Sequence, residues 1–466
     1  MMPFRVVICG FQPFESPGVR LPASTPTTID GEQIMPKPPP ASLSDRTIAL
    51  SFCAGGFRGW LGVVTDSTTC AIVGGGPAGM MLGLILARCG VDVTVLEKHA
   101  DFLRDFRGDT VHPSTMRLLD ELGLLQKFDE IPYSKVEKGD FTVDGQAITM
   151  VDFRRLRQPH PYVAMVPQWD FLDLLADAGK SEPHFTLRMQ TEVTGLLRDG
   201  DRITGVRYES PDGPGELRAD LTVGCDGRWS VTRRESGLSV REYPVPFDVW
   251  WLRVPRTNDG DYSLIPRTAP GKALIMIPRR GYFQIAYLIP KGSDTGLRSR
   301  GLDRFKSELA ELIPESDVDS LNSWDDVKFL DVRLNRLHTW HRDGLLCIGD
   351  AAHAMSPAGG VGVNVAIQDA VAASRLLHAP LREHRLTETN LAAVQRQRTV
   401  PTVVTQGFQR IVHRQVLAPA MAGKEIIPPP ALRNLLHRLP RLATVPGYII
   451  GTGVRPEHVP TIARRR

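Results

Sequence analysis

The chain has 466 residues, a formal net charge of +4, 42% hydrophobic and 23% charged residues, the composition of a globular protein of about two to three domains with a large core. So small a net charge, with no basic stretch interleaved with aromatics, excludes nucleic acid as an expected partner, and no apolar run reaches the roughly 18 residues that cross a bilayer. The six cysteines (Cys9, Cys53, Cys70, Cys89, Cys225 and Cys347) show neither a CxxC pair nor metal-ligand spacing, so no metal is expected and a reducing cytoplasm is the expected location.

Residues 1–68 are interrupted by Pro3, Pro13, Pro17, Pro22, Pro26 and the run Pro38-Pro39-Pro40. They lack the charged start and continuous apolar stretch of a secretory signal, and read as a flexible extension. Residues 70–73 are an apolar run ending in Gly74-Gly75-Gly76, as a buried parallel strand would. Residues 79–88 suit a helix closed by Gly90, and residues 91–96 a second strand closed by Glu97. Gly74-x-Gly76-x-x-Gly79 therefore sits at the turn of a strand–helix–strand unit, the context a dinucleotide fingerprint requires. Gly74 takes the tight turn, Gly76 lets backbone approach a pyrophosphate, and Gly79 permits close helix–strand packing. The helix N-terminus offers N–H groups and a positive dipole end to the phosphates, with Pro77 and Ala78 lying between the second and third glycines. Glu97 lies 21 positions after Gly76, placed to accept from a ribose hydroxyl and to disfavour a 2′-phosphate.

Further on, residues 113–122 form an amphipathic helix, and Asp144-Gly145 marks a hairpin. A strand from 163 passes through Pro167-Gln168 into a helix, and strands follow at 192–197, 203–208 and 216–223. Gly224-Cys225-Asp226-Gly227 closes the last of these with an acid-glycine turn before a short helix. Residues 240–340 are rich in strands and aromatics, among them Trp250, Trp251, Tyr282, Phe283 and Tyr287, with a helix at 302–312. A strand at 345–348 then leads through Gly349-Asp350 and Pro357 to Gly359-Gly360-Val361-Gly362-Val363-Asn364, which opens a long apolar helix. His353 reads as a structural hydrogen-bonding residue and Arg464-Arg465-Arg466 as a solvated tail.

These three motifs, in this order over roughly residues 68–400, resemble the para-hydroxybenzoate hydroxylase family of single-component FAD monooxygenases. The resemblance implies an α/β fold: a Rossmann-like FAD-binding domain with a central parallel sheet, an inserted mainly antiparallel substrate sheet and a helical C-terminal region. The expected divisions are an extension over 1–68, FAD-binding segments over 69–240 and 341–380, a substrate domain over 241–340, and a C-terminal region over 381–466. It also implies FAD over Gly76–Gly79 with its adenosine near Glu97, and flavin contacts from Arg107 and Gln168. Asp226, with Gly227, corresponds to an Asp-Gly pair associated with FAD and NAD(P)H. Asp350 corresponds to the acid holding the ribityl or pyrophosphate region, with Pro357, Gly362, Val363 and Asn364 in the loop and helix start beside the isoalloxazine. The family chemistry is reduction of FAD by NADH or NADPH, addition of O₂ to give a C4a-hydroperoxide, and hydroxylation of an electron-rich, usually aromatic, small molecule. No general base is assigned. The alternatives are a reductase or dehydrogenase of the same fold working without O₂, and a non-catalytic flavin-binding protein. A halogenase is disfavoured, because Trp250-Trp251-Leu252-Arg253-Val254-Pro255 lacks the Trp-x-Trp-x-Ile-Pro spacing.

Overall fold

Strand β1 (Val64–Val73) starts earlier than the apolar run suggests, because residues 64–68, placed in the extension by sequence, pair along the edge of residues 215–219. The computed structural model describes residues 64–103, 110–143, 146–257, 265–269, 271–279, 281–422, 435 and 438–465, all within one unit, Leu61–Arg466. Helix α1 (Pro77–Arg88) follows β1 with proline in its first turn, where the missing N–H costs no helical bond. It is buried along almost its whole length, from Ala78 to Ala87, as a helix covered on all sides by other elements must be. Strand β2 (Val93–Leu96) pairs parallel with β1. Helix α2 (Pro113–Glu121) and helix α3 (Gln168–Lys180) come next, then β3 (Phe185–Arg188), parallel to β2. An antiparallel hairpin, Glu192–Asp199 and Arg202–Ser210, leads into the long strand β4 (Gly213–Gly224), which returns parallel to β1. The expected hairpin turn at Asp144-Gly145 lies outside the described residues, but its arms, Lys138–Val143 and Gln146–Asp152, do pair antiparallel.

The chain then leaves the parallel sheet to build a second one. Strands β5 (Phe247–Pro255), β6 (Lys272–Pro278) and β7 (Tyr282–Pro290) form its centre, flanked by Ile265–Ala269 and Lys328–Leu330, and all its pairings are antiparallel. Alternation separates the two faces. Trp250, Leu252, Val254, Leu274, Met276, Phe283, Ile285 and Tyr287 form one core with Phe305, Leu309 and Leu312 of helix α4 (Leu302–Leu312). Trp251, Ile275 and Ile277, one residue out of step, join a different cluster with Val361, Ile450, Met165 and Phe153.

Strand β8 (Leu345–Cys347) re-enters the first sheet parallel to β4, giving five parallel strands in the order β8-β4-β1-β2-β3. Helix α5 (Gly362–Arg382) packs against α1. Helix α6 (Glu388–Val412) follows and runs on through one π-helical turn, His413–Leu417. Helix α7 (Thr444–Gly451) lies on the strand Gln146–Asp152. The chain end is docked as well as solvated: Ala463 is fully buried, and Arg465 N donates to Glu121 O at 3.2 Å. The basic residues here find partners, Arg464 with Glu121 and Arg465 with Glu182, which a reading of charge alone does not register.

Candidate functional site

The three glycine-bearing motifs meet at the carboxyl ends of β1, β4 and β8, where open parallel sheets bind their ligands. Gly74, at φ +103°, would place a Cβ 2.6 Å from Cys225 O, so only glycine lets the first motif lie against the second. A Cβ on Gly79 would fall 2.0 Å from Gly74 O. Gly349 fits between Ala366 and Ala78, where its Cβ would lie 3.1 Å and 3.5 Å from theirs. Gly76 differs from these, since nothing in the protein lies within 4 Å of where its Cβ would be. It is also the residue before α1, whose first turn has neither a side-chain cap nor an acidic residue. The start of α5 is likewise uncapped and free of acid. Two helix N-termini thus carry positive partial charge that no side chain of their own caps or first turns neutralises.

The acids named from sequence have partners of different kinds. Glu97 is buried at the end of β2 and braces the glycine turn: its Oε2 accepts from Gly75 N at 2.8 Å, its Oε1 from His99 N at 3.1 Å, and His99 Nδ1 lies 2.7 Å away. Asp226 is turned onto its own segment. It accepts from Ser230 Oγ at 2.6 Å and from Thr232 N and Oγ1 at 2.9 and 2.8 Å, fixing the turn before the helix Val231–Ser236. Asp350 points elsewhere, to Arg228, whose Nε donates to Oδ2 at 3.0 Å, leaving Oδ1 open. Arg228 was not singled out from sequence, although it directly follows the Asp-Gly pair. Its Nη1 is buried with no hydrogen-bond partner. Gln168 begins α3, and Pro357 precedes a short turn, Ala358–Gly360, with Gly359 at φ +81° and Gly360 at +63°. Gly362 and Val363 open α5, whereas the Asn364 side chain faces away from its end, accepting from Ser114 Oγ at 3.0 Å and Thr115 Oγ1 at 2.6 Å. Arg107 lies outside the described residues.

The Ser356–Gly360 loop is held from two sides. On one, Thr110 Oγ1 donates to Gly360 O at 2.8 Å, and the fully buried His112 ring lies within 3.0 Å of the same oxygen and 2.8 Å of Ile450 O. On the other, Gln409 and His413 reach in from α6 and its extension. Beneath the loop, the His353 side chain makes one buried hydrogen bond, into a charged network centred on Asp369. Its Nε2 lies 2.5 Å from Asp369 Oδ2, Arg398 Nε donates to Oδ1 at 2.8 Å, and Gly349 N donates to Oδ2 at 3.1 Å, all with these side chains at most 2% exposed. Burial pushes the Asp369 carboxyl up, but His353 and Arg398 outweigh it and hold the group below its ordinary value. The cysteines here are inert: burial raises Cys347 to about 12 and Cys225 well above the usual thiol range, so neither supplies a thiolate.

These residues fit an extended FAD. Open space at Gly76, two unneutralised helix N-termini, a carboxylate oxygen on Asp350 and a buried guanidinium nitrogen on Arg228 together offer donors and acceptors that the protein itself leaves unused. Among the described residues, no helix is long and apolar enough to cross a membrane.

The comparisons agree with this geometry. The profile of the FAD binding domain family matches residues 67–407. The chain is 33% identical, over 80% of its own length and 92% of the relative's, to 6-methylpretetramide 4-monooxygenase of Streptomyces rimosus. It is 28% identical, over 68% of its length and 79% of the relative's, to para-nitrophenol 4-monooxygenase of a Pseudomonas strain. In fold it resembles the anhydrotetracycline hydroxylase OxyS of Streptomyces rimosus, with a TM-score of 0.66 and 23% identity, covering 83% of this chain and 76% of that one. The reductase and the non-catalytic alternatives find no counterpart among these relatives, and the chain belongs to the FAD binding domain family as an FAD-dependent aromatic monooxygenase of the para-hydroxybenzoate hydroxylase type.

Proposed function

We propose that the enzyme hydroxylates a fused-ring aromatic compound held between the second sheet and the Ser356–Gly360 loop. The observation that carries this reading is the sheet face that looks toward Val361. Trp251, Ile275 and Ile277 supply apolar surface there, and two N–H groups, Trp251 Nε1 and Gln284 Nε2, are buried without a partner. Gln284 shares that face, two residues from Ala286, which pairs with Trp251. Its Oε1 accepts from Arg279 Nε at 3.2 Å and Nη2 at 3.1 Å, which fixes the amide orientation and leaves Nε2 to point elsewhere. Unmade buried hydrogen bonds cost about 1–3 kcal/mol each, so a bound oxygen acceptor is the natural complement. An apolar wall with a few placed polar groups is the usual make-up of a small-molecule site. The compounds named for two relatives, 6-methylpretetramide and anhydrotetracycline, suit that wall.

When bound, FAD accepts a hydride from NADH or NADPH and, with O₂, supplies the electrophilic oxygen. The chain's own part is to bind, orient and exclude water. The start of α1 receives the pyrophosphate at Gly76, Pro77, Ala78 and Gly79, and Glu97, at the end of β2, lies on the side of the adenosine ribose. Asp350 accepts from ribityl or ribose hydroxyls while Arg228 holds its other oxygen. Asp226 acts at one remove, by keeping Arg228 on its turn. The start of α5 at Gly362 and Val363 presents N–H groups to the flavin edge that gains negative charge, and Gln168, at the start of α3, adds a further cofactor contact. The buried free thiols suit a reducing cytoplasm.

Two variants separate these roles. Asp350→Ala is expected to weaken FAD retention about tenfold, the loss of a hydrogen bond to a charged acceptor, read by equilibrium dialysis; unchanged retention would remove Asp350 from the cofactor site. Trp251→Phe is expected to keep FAD content and thermal stability while altering NAD(P)H oxidation stimulated by the fused-ring probe anhydrotetracycline. Trp250→Ala is expected to destabilise instead, by about 3–5 kcal/mol. Trp250 is 2% exposed beneath α4, with its Nε1 donating to Asp294 Oδ1 at 2.7 Å. Reversal of that pattern would place the pocket on the other face of the sheet. FAD released on denaturation in equimolar amount to the chain, and substrate-stimulated NAD(P)H oxidation that stops without O₂, test the reading as a whole.

A further inference from the structure

Helix α6 extends past the residues that match the family profile, which end at 407, and the two side chains just beyond that limit are turned inward. Gln409 is fully buried, and its amide is complementary to the backbone of the Ser356–Gly360 loop. Nε2 donates to Ser356 O at 2.7 Å and to Ala358 O at 3.0 Å, while Oε1 accepts from Ser356 N at 3.1 Å. His413, one turn on and 2% exposed, places Nε2 2.8 Å from Ser356 Oγ. That oxygen in turn accepts from Ala358 N at 3.2 Å. The His413 ring also meets Phe247, the first residue of β5, edge to face at a centroid distance of 5.1 Å. The same end of the helix seats Leu417 and Ala420 against Phe247, Val249 and Leu330 of the second sheet. His413 begins the π-helical turn, a local widening of the helix that occurs frequently at functional sites.

No other described element ties the loop to the substrate sheet through side chains of this polarity, and a buried glutamine and histidine are costly in a helix that only needs to pack. We infer that Gln409 and His413 are positioning residues that set the placement of the Ser356–Gly360 loop, and with it the field that the start of α5 imposes on the flavin. The inference rests on the proposed reading of that helix start as a flavin contact. Burial keeps the His413 ring neutral at working pH, its value lowered to about 4, so the contact to Ser356 is one between neutral groups and adds no charge of its own beside the flavin. Loosening the loop would withdraw oriented N–H dipoles from the flavin edge. FAD binding and flavin reduction would both become less favourable, while the remainder of the fold would be little affected.

The test uses purified holoenzyme of the full chain and needs no substrate. Gln409→Leu and His413→Phe are compared with wild type and with Gln395→Leu. Gln395 clamps a different backbone stretch from the same helix, accepting from Trp340 N at 3.0 Å and donating to His338 O at 2.9 Å. Three quantities are read: the FAD dissociation constant, the flavin midpoint potential and the melting temperature of the apoprotein. The expected result is an FAD dissociation constant raised about tenfold and a more negative potential for the two loop variants, with neither change in Gln395→Leu, and recovery of both values in His413→Gln. Should either loop variant fail to fold, Ser356→Ala, which removes only the hydroxyl that His413 meets, carries the same comparison. Wild-type affinity and potential in the loop variants, or the same shifts in Gln395→Leu, would overturn the inference. A wild-type chain that binds no FAD would instead overturn the reading of the site on which it rests.

Discussion

Asp369→Ala is expected to destabilise the enzyme by about 3–5 kcal/mol, the cost of breaking a buried, hydrogen-bonded ion pair by removing one partner. Arg398, 2% exposed, would keep only Arg455 O at 3.4 Å and Glu457 Oε1 at 3.6 Å. The backbone N–H of Gly349 and the His353 ring would lose their acceptor together. Urea denaturation of holoenzyme and apoprotein measures this, and the loss should be present in both, because the network lies beneath the loop and does not depend on the cofactor. The pH dependence follows from the direction of the shift. The Asp369 carboxyl is lower in the folded chain than in the unfolded chain, where it titrates near about 3.9. Its contribution is therefore complete above that value and is lost as pH falls through the range below it. Asp369→Asn should flatten the acid limb of the stability profile and leave neutral pH as the region of greatest loss. A cost under about 1 kcal/mol would mean that His353 and Arg398 find other partners.

Gly79→Ala and Gly76→Ala are expected to part company. The Cβ of alanine at 79 meets Gly74 O at 2.0 Å and Ile72 Cγ2 at 3.2 Å, so the glycine turn must move whether or not FAD is present. Overpacking of this kind costs about 1–3 kcal/mol, and since the displaced turn is the proposed pyrophosphate cradle, FAD affinity should fall by up to about a hundredfold along with apoprotein stability. At Gly76 the backbone has φ −73°, which alanine adopts readily, and the added methyl meets no protein atom. Apoprotein stability should then be unchanged within about 0.5 kcal/mol, and any loss of FAD affinity reports the cofactor alone. Titration of apoprotein with FAD, beside thermal melts of the same samples, reads both. Equal behaviour of the two variants would contradict the assignment of Gly76 to the pyrophosphate.

The parts of this architecture legible in sequence are those where one residue type answers one local demand. Gly74, Gly79 and Gly349 sit where a Cβ would strike backbone or a facing side chain, and the alternation of strand and helix around them announces parallel pairing. The two faces of the second sheet were not legible. Trp250 and Trp251 are adjacent and equally apolar, and both faces of β5 are covered, one by α4 and the other by the loop region. No polar alternation marks which face is which. Long-range polar pairing was hidden for a different reason. Asp369 and Arg398 lie on helices α5 and α6, 29 positions apart, and nothing local to either predicts the other. Arg228, Gln409 and His413 share that fate. Asp226 and Asn364 carried the expected residue type, yet their side chains serve the local fold, bracing a turn and clamping α2. The docked chain end was obscured by its charge, since arginines look the same in sequence whether solvated or paired.

The chain is an FAD-dependent aromatic monooxygenase, so the oxygen atom it adds to its substrate is expected to come from O₂. Turnover of an aromatic compound that stimulates NAD(P)H oxidation by the holoenzyme, run under ¹⁸O₂ with the product analysed by mass spectrometry, measures that source. One labelled oxygen per product molecule is expected, and none when the label is supplied as water. Product formed at the same rate under strict anaerobiosis, or carrying oxygen from water, would contradict it.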